Sequence, residues 1–275
     1  MEDRLLDIDI TTPKVKYSNY KWVWASPTPS EGINNPDLFI GVTKILGKFE
    51  GKSHATEEFK MECKKLQDSI NTNINIAKLN RPVNKNIIEN SGTYWKALGV
   101  YNGNSPTVSL TNLGKKLASG EMNQNDFGIE ITQTLTLPNK NLPNQYDSFE
   151  WNVHSLQVLP LMLIIKIMAS LLNDYSKDQK HGYLTSNELK NIVIPIAADT
   201  PHDLGKYAEA IYKFRVGGLD ISSWPNYYPK ANDARMINEF LIFLSNYGLC
   251  KEVVRARQKR YYITPLAMSV LKEKE

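Results

Sequence analysis

The sequence predicts a mainly α-helical protein with short β-hairpins. The expected arrangement is two winged-helix (helix-turn-helix) subdomains joined by a linker subdomain and preceded by an N-terminal arm. Three observations predict it. Apolar residues recur at helical spacing over much of the chain. Two segments far apart end alike, each with a glycine, a hairpin and a Thr-x-Leu that opens a short helix. The second of these hairpins is strongly basic.

The 275 residues allow two compact domains, and a hydrophobic fraction of 41% supports a buried core. The opening MEDRLLDIDITTPK carries acids where a secretory leader needs positive charge. The longest apolar run, 158–168, is too short to span a bilayer and predicts a buried helix. Cys63 and Cys250 are the two cysteines, with no CxxC spacing, so neither a disulfide framework nor a cysteine zinc site is expected. A reducing cytoplasm is the expected compartment, with no membrane partner.

Residues 1–35 predict an irregular arm broken by Pro13, Pro27, Pro29 and Gly32, in which Lys14, Lys16 and Lys21 alternate with Tyr17, Tyr20, Trp22 and Trp24. A basic, aromatic arm has to dock onto something. Residues 36–120 form the first expected subdomain. Asn35-Pro36 starts a helix whose apolar set is Leu38, Val42, Ile45, Leu46 and Phe49. A second helix is expected over about 56–70 and a weaker one over 84–98. Residues 121–154 predict the linker subdomain, with a strand or helix around 129–137. Residues 155–275 form the second subdomain, with helices expected over 155–172, 201–216, 231–247 and 265–272. Thr185 and Glu188 have capping-box spacing. Strands are expected over 249–254 and 260–264, around a basic turn.

The echo pairs Leu98-Gly99-Val100 … Thr111-Asn112-Leu113 with Tyr247-Gly248-Leu249 … Thr264-Pro265-Leu266. A helix whose glycine cap leads straight into a hairpin predicts the end of a winged helix, with the helix in the major groove and the hairpin on the flanking backbone. In 231–247, Ala234, Ile237, Leu241 and Leu244 share the face that must bury. Asn232, Arg235, Asn238 and Glu239 are then expected outward, and these side-chain types match the hydrogen-bonding edges of adenine, guanine and cytosine. In the first subdomain Lys85, Asn86, Glu89, Thr93 and Lys96 are the corresponding base-reading candidates. Arg255, Arg257, Lys259 and Arg260, with Lys251, stand against Glu252 alone. Such clustered charge suits phosphates. Lys230, Arg81 and the arm lysines Lys14, Lys16 and Lys21 are further backbone candidates.

Pro36-Asp37 followed by Glu58-Phe59-Lys60 imitates a PD…ExK metal nuclease site, but such carboxylates belong on adjoining strands and both pieces here have helical periodicity. His54, His154, His181 and His202 show no metal-binding spacing, and no Walker A or GxGxxG occurs. No catalytic residue, metal ligand or cofactor is therefore expected in this chain.

The layout, with WKALGVYNGNSPTVSLTNLGKKLASGE in one half and SNYGLCKEVVRARQKRYYITPLA in the other, resembles the DNA-recognition module of FokI-type (type IIS) restriction endonucleases. The resemblance covers nearly the whole chain and is architectural. It implies monomeric reading of an asymmetric double-stranded DNA site, and cleavage by a separate Mg²⁺-dependent nuclease domain that is not expected within this sequence. The alternatives are a tandem winged-helix transcription regulator, a self-contained nuclease using Asp37, Glu58 and Lys60, and a protein-interaction scaffold.

Overall fold

The computed structural model describes residues 8–18, 20, 24, 35–72, 93–102, 107–142, 148–175, 180–225 and 231–272, without the side chains of residues 72, 93, 148 and 231–236. These residues are mainly helical, with one small antiparallel sheet of three strands. The chain divides into two compact units: Pro29–Ile131 with Asn139–Gln145, and Met1–Thr28 with Thr132–Pro138 and Tyr146–Glu275. The stretch 121–154, expected as a subdomain of its own, is thus shared between the two units.

The first unit holds α1 (Pro36–Lys48), α2 (Glu57–Thr72), α3 (Thr93–Ala97), α4 (Asn112–Ser119) and the start of α5 (Gln124–Thr134). The Asn35 side chain caps α1 by accepting from the Asp37 N–H, and Pro36 occupies the first turn, where its missing N–H costs nothing. Leu38, Phe39, Val42, Ile45 and Leu46 bury one face of α1. Trp95 of α3 stacks on Phe39 at 5.0 Å and donates its indole N–H to the hydroxyl of Thr43 at 3.2 Å. That bond satisfies the polar handle of a fully buried ring. Isolated bridges place residues 107–110 between Glu50–Ser53 on one side and Tyr101 on the other. Of the expected helix over 84–98, α3 is the described part. Residues 84–92 lie outside the described set.

The second unit is built round α7 (Pro160–Tyr175), which is buried on nearly every side. The expected helix over 155–172 begins later, because Leu137 pairs with Val158 in a β-bridge and Pro160 then serves as a starting residue. After α6 (Ser148–Val153) and α7 come β1 (Tyr183–Leu184) and α8 (Ser186–Glu188). A π-helical turn (Leu189–Val193) and α9 (Ile194–Ala197) continue α8. Pro195 has no N–H to give and its ring would strike a carbonyl of a regular helix. The widened turn just before it removes that conflict. The helix expected over 201–216 is α10 (Leu204–Arg215), because Asp203 caps it by accepting from the Lys206 N–H. Then follow α11 (Ala231–Asn246), β2 (Cys250–Arg255), β3 (Gln258–Ile263) and α12 (Pro265–Lys272), with strand order β1-β3-β2.

Both units therefore repeat one order. A helix leads to a short extended segment. Further helices follow, then a hairpin whose second strand pairs with the early segment, then a closing helix that packs on the first.

Of the expected arm, Met1–Thr28 belongs to the second unit. Tyr20 and Trp24 are fully buried, Tyr20 stacked on Trp151 at 4.4 Å and Trp24 edge-on to Phe240 at 5.5 Å. Lys16 donates to the Asp199 carbonyl at 2.6 Å, and Lys213 donates to the Ile8 carbonyl at 3.1 Å.

Candidate nucleic-acid interface

The junction between helix and hairpin is made the same way twice. Gly99 and Gly248 adopt φ of +70° and +81°, the left-handed conformation in which glycine ends a helix without a Cβ clash. The next N–H, of Val100 or Leu249, reaches back to the carbonyl of Trp95 or Leu244 at 2.8 Å in each case. Across the hairpin, Thr111 donates its hydroxyl to Gly99 at 2.6 Å, and Thr264 donates to Gly248 at 2.8 Å. The same two hydroxyls accept from Gly114 N–H at 3.1 Å and Ala267 N–H at 3.3 Å, capping α4 and α12. One threonine thus ties three things together: the end of a helix, the far strand of the hairpin and the start of the closing helix. Bridges then follow at matching positions, Tyr101 with Leu110 and Cys250 with Ile263.

In the second unit the hairpin is six residues long on each side and turns through Ala256 and Arg257 alone. The turn is tighter than the five-residue basic loop expected from the sequence. Both residues have positive φ, +47° and +63°, which is the two-residue turn whose twist matches a twisted hairpin. Asparagine and glycine fill it with least strain, so Ala-Arg is costly there and fixes Arg257 at the tip.

The register sorts the hairpin side chains by face. Leu184, Tyr261 and Cys250 are buried against the core. Toward the tip this same face carries Glu252 and Lys259, which form a 2.8 Å ion pair. The other face carries Tyr183, Tyr262 and Lys251 in one cross-strand row, then Arg260 and Val253, then Gln258 and Arg255. Among these outer-face residues no carboxylate occurs. Lys251, Arg255, Arg257 and Lys259 are exposed, and Arg260 is half-buried.

A buried ion pair anchors β1. Glu188 completes the capping box predicted from the sequence, taking the Thr185 N–H at 2.8 Å while Thr185 takes the Glu188 N–H at 3.2 Å. Its carboxylate also receives Arg215 of α10 at 2.7 and 3.0 Å. Two further donors of Arg215 go to the carbonyls of His181 and Tyr183, at 2.9 and 2.7 Å. Its guanidinium carbon lies 3.8 Å from the centre of the Tyr183 ring, and that of Arg260 lies 4.6 Å from the same ring. Burial, with Arg215, Lys180 and Arg260 nearby, holds the His181 imidazole below its ordinary pKa. Sequence reasoning missed Arg215, whose only signal was its position at the end of an amphipathic helix.

The other expected site residues fall as follows. Asn232 and Arg235 lie on the first turns of α11, with side chains outside the described set. Asn238 is half-buried. Glu239, expected outward, is 5% exposed. The reason is that α11 is covered on two sides. Phe240 and Phe243 are buried as well as Ile237, Leu241 and Leu244, and Trp24 of the arm takes the Phe240 side. Asn238, Glu239 and Glu252 surround the phenol of Tyr261, whose pKa is raised, first by burial and then by Glu252. Glu239 is therefore not exposed as an outward base reader would be. Lys96 is half-buried on α3, where Thr93 is the first residue. Lys14 is exposed, whereas Lys16 is engaged by Asp199. Lys21, Arg81, Lys85, Asn86, Glu89 and Lys230 lie outside the described residues. Asp37 and Glu58 stand in the first turns of α1 and α2, and Lys60 pairs with Glu57 at 2.7 Å. These are helical positions, not the adjoining strands that a PD…ExK site uses.

Among the described residues no cluster of three or more His, Cys, Asp or Glu could hold a metal ion, and no helix is long and apolar enough to cross a membrane. No family model matches the chain, and no curated protein matches it.

Proposed function

We propose that this chain binds double-stranded DNA sequence-specifically through two winged-helix units, as the recognition module of a type IIS restriction endonuclease does. The observation that carries the reading is the repeated junction. In each unit a glycine-ended helix is bound by one threonine to a hairpin whose second strand pairs with an early extended segment. That order of helix, strand, helices and hairpin is the one in which a helix enters the major groove and a hairpin reaches the backbone. The charge of the second hairpin supports a polyanionic partner: Lys251, Arg255 and Arg257 are exposed, and half-buried Arg260 stands on the same hairpin.

In this reading Arg235, with Asn232 and Asn238, reads bases from α11, and α3 with the segment before it reads from the first unit. Arg255, Arg257, Lys259 and Arg260 hold phosphates. Cleavage belongs to a Mg²⁺-dependent nuclease domain acting with this module. Selection of bound duplexes from a random pool tests the reading, and a compact asymmetric consensus bound by a monomer is expected. Arg235→Ala should relax one position of that consensus at a cost of about 1–3 kcal/mol. A palindromic consensus bound by a dimer would favour a transcription regulator. Absence of salt-dependent duplex binding would overturn the reading, as would plasmid cleavage by this chain that Asp37→Ala abolishes.

A further inference from the structure

We infer that the outer face of the three-stranded sheet is itself a seat for a DNA phosphodiester, with Arg260 and Lys251 as its cations and Tyr183 as the positioning residue that holds Arg260 in place. The inference rests on the DNA-binding reading and deepens it. It moves part of the backbone contact from the hairpin tip to the body of the sheet.

Four observations carry it. Tyr183, Tyr262 and Lys251 stand side by side across three strands, and Arg260 and Arg255 occupy the next rows of the same face. Tyr183 is held in place: its ring lies against Arg215, whose hydrogen bonds to Glu188 and to two backbone carbonyls are internal. Arg215 is thereby spent on structure, and Arg260 is the guanidinium left over the same ring. Finally, the Nε of Arg260 is buried with no hydrogen-bond partner in the protein. A guanidinium aligned on an aromatic ring loses little rotamer freedom on binding, and its fork matches phosphate geometry. Lys259 differs. It sits on the opposite face with Glu252 beside it, so phosphate must compete with that carboxylate.

The chemistry favours a phosphodiester over a carboxylate peptide. The charged residues of the face are all cations, and they follow one another along the hairpin from Lys251 through Arg260 toward Arg255 and Arg257 at the tip. Evenly spaced negative charge is the complementary pattern.

The test uses the full chain and a duplex carrying the selected consensus, with affinity measured across a salt series. Arg260→Gln is expected to weaken binding about tenfold at moderate salt and to lower the salt slope by about 0.9, the loss of one phosphate contact. Tyr183→Phe keeps the ring and should bind as the parent does. Tyr183→Leu keeps every charge and should weaken binding several-fold, but not further when combined with Arg260→Gln. That non-additivity is the mark of positioning, since general damage would weaken both backgrounds alike. NMR titration of His181 gives a second readout, because phosphate beside Arg260 should raise the imidazole pKa in the complex. If Arg260→Gln leaves affinity and salt slope unchanged in a chain that binds its consensus, or if Tyr183→Leu costs as much without Arg260 as with it, the inference is overturned while the DNA reading stands. If no duplex binds the parent chain, both fall.

Discussion

Arg257 occupies a backbone conformation that an arginine does not choose. Its φ of +63°, next to Ala256 at +47°, puts two Cβ-bearing residues in the left-handed region at the hairpin tip. Each such residue costs roughly 1–2 kcal/mol relative to glycine in the same conformation. Arg257→Gly removes that strain and adds about 0.5–1 kcal/mol of unfolded-chain entropy against folding. The net expectation is a gain of about 0.5–1 kcal/mol, or about 1–4 °C in Tm for a unit of this size. The same substitution removes one cation, so the slope of duplex affinity against salt should fall by about 0.9. Ala256→Gly relieves the neighbouring strain and leaves charge alone, so it should stabilise without touching the salt slope. Thermal unfolding and a salt series of duplex affinity separate the two effects. If neither glycine variant is stabilised, the two-residue turn is wrong. If Arg257→Gly is stabilised and the salt slope stays put, the tip does not meet phosphate.

Three further outcomes follow from the fold. Arg215 and Glu188 are 8% and 5% exposed, so Arg215→Met leaves a buried carboxylate with half its partners and should cost about 3–5 kcal/mol by denaturant titration; less than about 1 kcal/mol would deny the pair its anchoring role. Thr264→Val and Thr111→Val each remove a cap and a bond to a glycine carbonyl while keeping the shape, and each should cost about 1–2 kcal/mol; a large effect at one site and none at the other would break the equivalence of the two junctions. His181 has its folded pKa below the ordinary 6.5, so the unfolded chain takes up a proton first as pH falls. Its contribution to stability is then present above pH 6.5 and is lost as pH drops below that value, and His181→Gln should flatten that part of the Tm-against-pH curve.

Local signals in the sequence proved legible wherever one or two residues suffice to make the structure. Asn35-Pro36 starts a helix, Thr185 and Glu188 form a capping box, and Gly248 ends α11, each by a bond the spacing alone predicts. Pairings across long separations were less so. The shift of α7 to Pro160 depends on Leu137 meeting Val158, and the burial of Glu239 depends on both sides of α11 being covered. The charge cluster at 251–260 was visible as composition, but its division between two faces required the register. A two-residue turn, rather than the five-residue loop expected, sets which of Lys259 and Arg260 meets Glu252.

The duplicated junction also constrains how labour is divided between the units. Both junctions share the glycine helix end and the threonine tie, so the units differ in the hairpins those junctions carry. The second hairpin projects cations, while the corresponding sequence of the first, Asn102-Gly103-Asn104-Ser105-Pro106-Thr107, has no charge at all. On the DNA-binding reading, phosphate affinity is then concentrated in the second unit. The first unit can add sequence discrimination with little non-specific attraction of its own through its hairpin. Charge-removing substitutions in the second hairpin should therefore lower affinity for specific and non-specific duplexes alike. Substitutions at Lys96 or along the segment before α3 should act on the consensus. A first unit that bound non-specific duplex as strongly as the second would be incompatible with this division, because its hairpin offers no cation to do so.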